Sequence, residues 1–254
     1  MRKQLSLLNF LAVITTIAMS YVSNSGVLNG ETMGSISAKY QNLFTPAGYA
    51  FSIWGLIYLG LLSFVFYFGP FTKKTAFKEQ VVQKIGWWFV ISCISNSLWV
   101  VCWLYEYTLV TIPLMVLVLV SLLKIIVTIQ DLNNTSNPTL KLYLEIPFYI
   151  YAGWISVALI ANVAAYLKKI EWYGFGISES SWAIVMFAIA SVIHLYMVWK
   201  KNMPAFAMVA VWALIAIAVA NYASQKTVYF AALGFALVIF INILIFITRK
   251  MSLK

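Results

Sequence analysis

The chain has 254 residues, of which 63% are hydrophobic and 9% charged, with a formal net charge of +10 and a mean hydropathy of +0.90. Soluble domains carry roughly 45–50% apolar and about 25% charged residues, so a water-soluble fold is excluded. The positive charge sits in short polar gaps between apolar stretches, where it reads as a signal of membrane topology and anionic headgroups, not of nucleic-acid binding.

Eight stretches predict transmembrane helices, at about Leu5 to Val22, Ala47 to Gly69, Gly86 to Tyr105, Leu109 to Ile129, Leu142 to Leu167, Ser181 to Trp199, Pro204 to Ala223 and Val228 to Thr248. Each is close to the roughly 20 residues that a helix rising about 1.5 Å per residue needs to cross about 30 Å of hydrocarbon. Helices satisfy every backbone N–H and C=O within the segment, and the alternation of a membrane β-barrel is missing.

The first stretch follows Met-Arg-Lys, as a signal peptide would, but no small-x-small cleavage site stands out near Ser20 to Gly26, so an uncleaved helix is expected. On the second, Ala47, Phe51, Trp54 and Tyr58 fall at helical spacing. On the third, Asn96, Trp99 and Trp103 share a face, while Cys93 and Cys102 point to opposite faces and cannot bridge. The fifth opens near Glu145 and carries Tyr151, Trp154, Ala158 and Asn162 on one face. His194 lies within the sixth, and Asn221 and Asn242, on the seventh and eighth, suit interhelical hydrogen bonds. Aromatic residues at span ends, including Trp87, Tyr105, Trp172, Tyr173, Trp182 and Trp199, read as interfacial anchors.

Sorted by gap, Arg2, Lys3, Lys73, Lys74, Lys78, Lys84, Lys124, Lys141, Lys200, Lys201, Arg249, Lys250 and Lys254 fall on one side, and Lys39, Lys168, Lys169 and Lys226 on the other. Thirteen against four predicts cytoplasmic N- and C-termini and an even number of spans.

Two roles fit the aromatic and Asn residues inside the spans. Polar groups at mid-depth need partners, so these residues should face the bundle interior. There they serve either as glue between helices or as the wall of a pocket for a flat, largely apolar ligand, and spacing alone does not choose. His194 is open in the same way, as a hydrogen-bonded interior residue or as a haem-iron ligand. Glu145 fits either a carboxylate favoured by a helix N-terminus or a group in proton-coupled transport. No catalytic triad, phosphate-cradling loop, paired acids or metal-ligand spacing is present, so neither an enzyme nor a metal site is expected.

Three motifs in order resemble the tryptophan-rich sensory protein and translocator protein (TspO/MBR) family, also called the mitochondrial benzodiazepine receptor. They are Pro46 to Tyr58 with Trp54-x-x-x-Tyr58, Asn96-x-x-Trp99, and Tyr151-x-x-Trp154-x-Ser156-x-Ala158 followed by Asn162. The resemblance covers roughly residues 5 to 168, and it departs from the family in having a single proline before the second span and three additional helices. It implies an all-α polytopic bundle with a five-helix core, 1–168, and a three-helix membrane extension, 169–254. It also implies an intramembrane pocket, covered by the first loop, for tetrapyrroles such as porphyrin or haem, or for sterol-like aromatics. Trp54, Asn96, Trp154 and Ala158 match the family's pocket positions, with Tyr58, Trp99 and Tyr151 beside them. The expected function is ligand binding, sensing or translocation in a membrane, the plasma membrane in a bacterial source, with no cofactor required. Two alternatives stand beside it: a secondary transporter of a small hydrophobic or amphipathic solute, and a structural subunit of a membrane complex. The expected partners are the lipid bilayer and a small aromatic ligand, with homodimerisation left open.

Overall fold

A computed structural model describes residues 2–73, 75–132 and 138–252; Lys74 and Lys254, two of the basic residues assigned to the inner side, lie outside the described residues. All regular structure among the described residues is helical: α1 (Arg2–Asn24), α2 (Met33–Lys39), a 3-10 turn Gly48–Ser52, α3 (Ile53–Tyr67), α4 (Ala76–Ile85), α5 (Trp88–Leu104), α6 (Thr108–Leu132), α7 (Pro138–Leu140), a π turn Lys141–Glu145, α8 (Ile146–Lys169), a 3-10 turn Gly174–Gly176, α9 (Glu179–Lys201), α10 (Pro204–Asn221) and α11 (Lys226–Ser252). Seven of these stretches are long and apolar enough to cross a membrane, or eight if α4 and α5, bent by 49°, form one broken span. All eight predicted spans thus have helical counterparts.

Local chemistry explains where the helices break. Before α4, the Thr75 hydroxyl accepts the Lys78 N–H at 3.3 Å, and Gly86, at φ 58°, ends the helix in a conformation that suits glycine. Ser178 caps α9 by accepting the Ser181 N–H at 3.1 Å. Pro204 opens α10, where a missing N–H leaves no bond unmade. One expectation is corrected: Ala47 and Phe51 do not continue the α3 face. Ala47 is extended after Pro46 and Phe51 lies in the 3-10 turn, so the helix that carries Trp54 and Tyr58 begins only at Ile53.

The chain forms two compact units, Met1–Ile36 with Trp54–Ala152, and Ser37–Ile53 with Gly153–Lys254. The division falls inside α8, whereas the resemblance places a boundary after 168.

In the first unit α5 packs against α1 and α6, and α4 against the same two helices. The Thr16 hydroxyl of α1 donates to the Cys93 carbonyl of α5 at 3.2 Å. Phe64, Phe89 and Phe148, from α3, α5 and α8, make a core triad with ring centroids 5.0 to 5.8 Å apart. Gly60 lets α3 approach α8, since a Cβ there would lie 3.1 Å from Pro147. Both cysteines are free thiols.

In the second unit α9, α10 and α11 all touch one another. The apolar stretch of α10 is 61% buried against 22% for α11, so α10 is central to the unit and α11 lies at its periphery. Fully buried alanines at 207, 210, 213 and 216 give α10 a thin profile for close approach. Gly153 of α8 packs directly on the Phe206 backbone of α10, where a Cβ would lie 2.5 Å from the carbonyl oxygen. The segment from Leu43 to Ala50 is fastened along α10 by backbone and side-chain bonds. The Ala47 N–H donates to the Ala216 carbonyl at 3.0 Å, Trp212 Nε1 to the Ala50 carbonyl at 3.2 Å, and Asn221 Nδ2 to the Leu43 carbonyl at 3.1 Å.

Candidate functional site

Five of the seven residues expected to bind ligand meet in the first unit. The Trp54 ring stacks on Tyr58 (5.5 Å) and on Trp99 (6.2 Å), and meets Tyr151 edge-on at 5.9 Å. Trp99 stacks in turn on Trp103 at 6.1 Å. The helical spacing of each motif puts its aromatic residues on one face, and the packing of α3, α5 and the start of α8 brings those faces together. Asn96 is buried among them. The Tyr58 hydroxyl faces Ser20 and Asn96, but neither polar atom of the carboxamide reaches hydrogen-bond geometry with a partner among the described residues. A buried polar group left so costs about 1–3 kcal/mol, and in a native structure it calls for a reason.

The other two belong to the second unit. Trp154 is buried and meets Phe51 edge-on at 6.3 Å. Ala158, one turn further along α8, is half-buried. His194 also belongs to the second unit, with Nδ1 2.7 Å from the Ala190 carbonyl and Nε2 3.3 Å from the Ser156 hydroxyl. A carbonyl only accepts, so Nδ1 carries a proton. The imidazole lies 4.7 Å from the Phe206 ring. Glu145, in the first unit, is half-buried at the end of the π turn. Helical structure already runs from Pro138, so Glu145 stands beyond the first turn, where the helix dipole acts on a carboxylate. Among the described residues no group of three or more His, Cys, Asp and Glu side chains converges as a metal site would need.

The second unit holds a cavity of about 450 Å³, within the roughly 300–1,000 Å³ typical of small-molecule sites. Its floor is a stripe on α8 of adjacent pairs four residues apart: Leu159 and Ile160, Val163 and Ala164, Leu167 and Lys168. Glu179, Trp182, Ala183 and Met186 of α9 face that stripe, and Asn42, Leu43 and Phe44 close one side. Trp172, Tyr173, Gly174 and Ile177 complete the wall. The sequence reading missed this cavity because it treats Trp172, Tyr173 and Trp182 as interfacial anchors. The signal within reach was the α8 stripe, apolar until Lys168.

Long apolar helices that fill the described chain, together with buried aromatic and amide groups at mid-span, define an integral multi-pass membrane protein. Within that class the chain belongs to the TSPO-like protein family, whose model matches residues 6–245. The match runs on through α9 and α10 and into α11, past the roughly 168 residues carrying the motifs. No curated protein and no solved structure matches the chain.

Proposed function

We propose that the protein binds a flat, largely apolar ligand inside the membrane, a tetrapyrrole such as porphyrin or haem or a sterol-like aromatic, and that it senses or carries that ligand. The observation behind this reading is the Asn96 carboxamide, buried beside the Tyr58 hydroxyl and the rings of Trp54, Trp99 and Tyr151, with no partner in hydrogen-bond geometry among the described residues. A planar ligand entering that cluster would gain stacking area from the rings and a hydrogen bond from the amide, which sets its orientation. Trp154 and Ala158 join the proposal on the family resemblance. Porphyrin or haem enters as ligand, not as a resident cofactor, and no enzymatic step is assigned to it. Both termini are taken to face the cytoplasm, on the distribution of thirteen basic residues against four. In a bacterial source the membrane is the plasma membrane.

Titration of the purified full chain in detergent with protoporphyrin tests the reading. Saturable quenching of tryptophan fluorescence is expected, weakened about tenfold in Asn96→Leu while the thermal midpoint does not fall. Absence of saturable quenching in the unsubstituted protein overturns it.

A second reading, a secondary transporter of a small hydrophobic or amphipathic solute, is favoured by the π turn that ends on Glu145, because such departures from α geometry concentrate at functional sites. Accumulation of solute in vesicles, driven by a proton gradient and removed by Glu145→Gln, distinguishes it from simple binding.

A further inference from the structure

We propose that the cavity of the second unit is a separate binding site for a long apolar monoanion of the fatty-acid kind, with its tail in the cavity and its carboxylate at Lys168. The inference goes beyond the tetrapyrrole reading and uses none of its residues.

The apolar body of the ligand follows from the floor, where Val163 and its neighbours on α8 present aliphatic side chains to an open volume of about 450 Å³. Its negative head follows from the charges at the wall, which are Lys168 and Glu179. Glu179 is engaged, its carboxylate accepting the Leu43 N–H at 3.0 Å from the first turn of α9, a position that favours a negative charge. Lys168 has neither an ion pair nor a hydrogen bond for its ammonium among the described residues. An exposed lysine in a last helical turn is favoured by the helix dipole alone; its place in the lining of an apolar cavity is what suits it to an amphipathic anion.

The cavity is also built before any ligand arrives. Trp182 Nε1 donates to the Gly174 carbonyl at 2.9 Å, and the Trp172 and Trp182 rings lie 5.4 Å apart. Gly174, at φ 69°, allows the loop to cross the indole, since a Cβ there would lie 3.1 Å from Trp182 Nε1. On the opposite side Phe44 donates its N–H to Asn42 Oδ1 at 2.9 Å and packs on Phe187 at 5.5 Å. A wall fixed in this way loses little freedom when a ligand binds.

The test uses the full chain in phosphatidylcholine nanodiscs and the fluorescent polyene cis-parinaric acid, read by energy transfer from tryptophan. Saturable transfer, displaced by oleate, is expected. Lys168→Gln should weaken binding about tenfold, the typical worth of one charge-assisted hydrogen bond, and the methyl ester of the probe should lose as much on the unsubstituted protein. Lys169→Gln, whose ammonium lies over the Tyr40 ring at 5.8 Å, should bind as the unsubstituted chain does. Ala164→Phe fills the cavity and should abolish transfer, with Ala183→Phe as the second filling variant should the first not fold. Equal affinity for acid and ester, or unchanged affinity in Lys168→Gln, overturns the anion site. Retained binding in a folded filling variant overturns its location. Displacement by phosphatidylglycerol upholds the site with a bilayer lipid as its source, and displacement by oleate alone upholds it with a free fatty acid.

Discussion

The side-chain amide of Asn221 bridges two backbone carbonyls, its own helix's Ile217 at 2.9 Å and Leu43 at 3.1 Å, the latter 178 residues away in sequence. Near the end of α10 it ties down both the last helical turn and the loop that leads into the 3-10 turn Gly48–Ser52. Both of its partners are backbone groups, so the effect of removing it should be local.

Asn221→Leu therefore should cost about 0.6 kcal/mol, the average for a polar contact inside a membrane protein, and at most about 1.7 kcal/mol. Amide hydrogen exchange within residues 42–50 should speed up while α9 and α11 keep their protection. An unchanged loop with a generally loosened bundle would contradict the clamp.

Gly153→Ala places a methyl group 2.5 Å from the Phe206 carbonyl oxygen, a backbone atom that no rotamer can move. A loss of about 1–3 kcal/mol is expected from overpacking, seen as a lower thermal midpoint. Gly60→Ala meets Pro147 less closely, at 3.1 Å, and should cost less. The reverse order would show that α8 and α10 can move apart easily.

Asn96→Leu separates ligand binding from packing. Replacing an amide that has no partner in hydrogen-bond geometry among the described residues by an aliphatic group of similar volume should leave stability unchanged or raise it, while porphyrin affinity falls about tenfold. A large loss of stability would assign Asn96 to the glue of the bundle.

For His194→Ala the expectation is a stability loss of about 1–3 kcal/mol, because a buried ring loses its hydrogen bonds and its contact with Phe206. The Soret band of the haem-loaded protein should not move, since both ring nitrogens already face protein partners. A Soret shift abolished by the substitution would make His194 an iron ligand.

The spans are legible in the sequence because a bilayer imposes length and apolarity on each helix separately, whatever its neighbours. α4 is harder to see: its ten residues include Lys78, Glu79 and Lys84, so it reads as a polar gap, and its existence depends on the Thr75 cap and on burial of Val81, Val82 and Ile85. The motif faces on α3, α5 and α8 are legible for a similar reason, as spacing along one helix sets which side chains share a side. What spacing does not contain is the set of neighbours. Tyr151 and Trp154 are three residues apart on α8, yet Tyr151 packs with Trp54 in the first unit and Trp154 with Phe51 in the second. The cavity lies further beyond reach, since it needs Leu43 beside Glu179, a contact 136 residues apart in sequence. Aromatic residues at a span end, such as Trp172 and Trp182, have the same composition whether they anchor a helix at the interface or line a binding site.

The attachment of the Leu43 to Ala50 segment to α10 bears on how the protein can be handled. A shortened chain stopping near 168 would look like a tidy five-helix version of the family, but it would lack the Ala216 carbonyl that receives the Ala47 N–H and the Asn221 amide that holds Leu43. The first loop would then be cut loose from its support. α10 is a fixture of the loop it holds, so the smallest faithful version of this protein retains at least that helix.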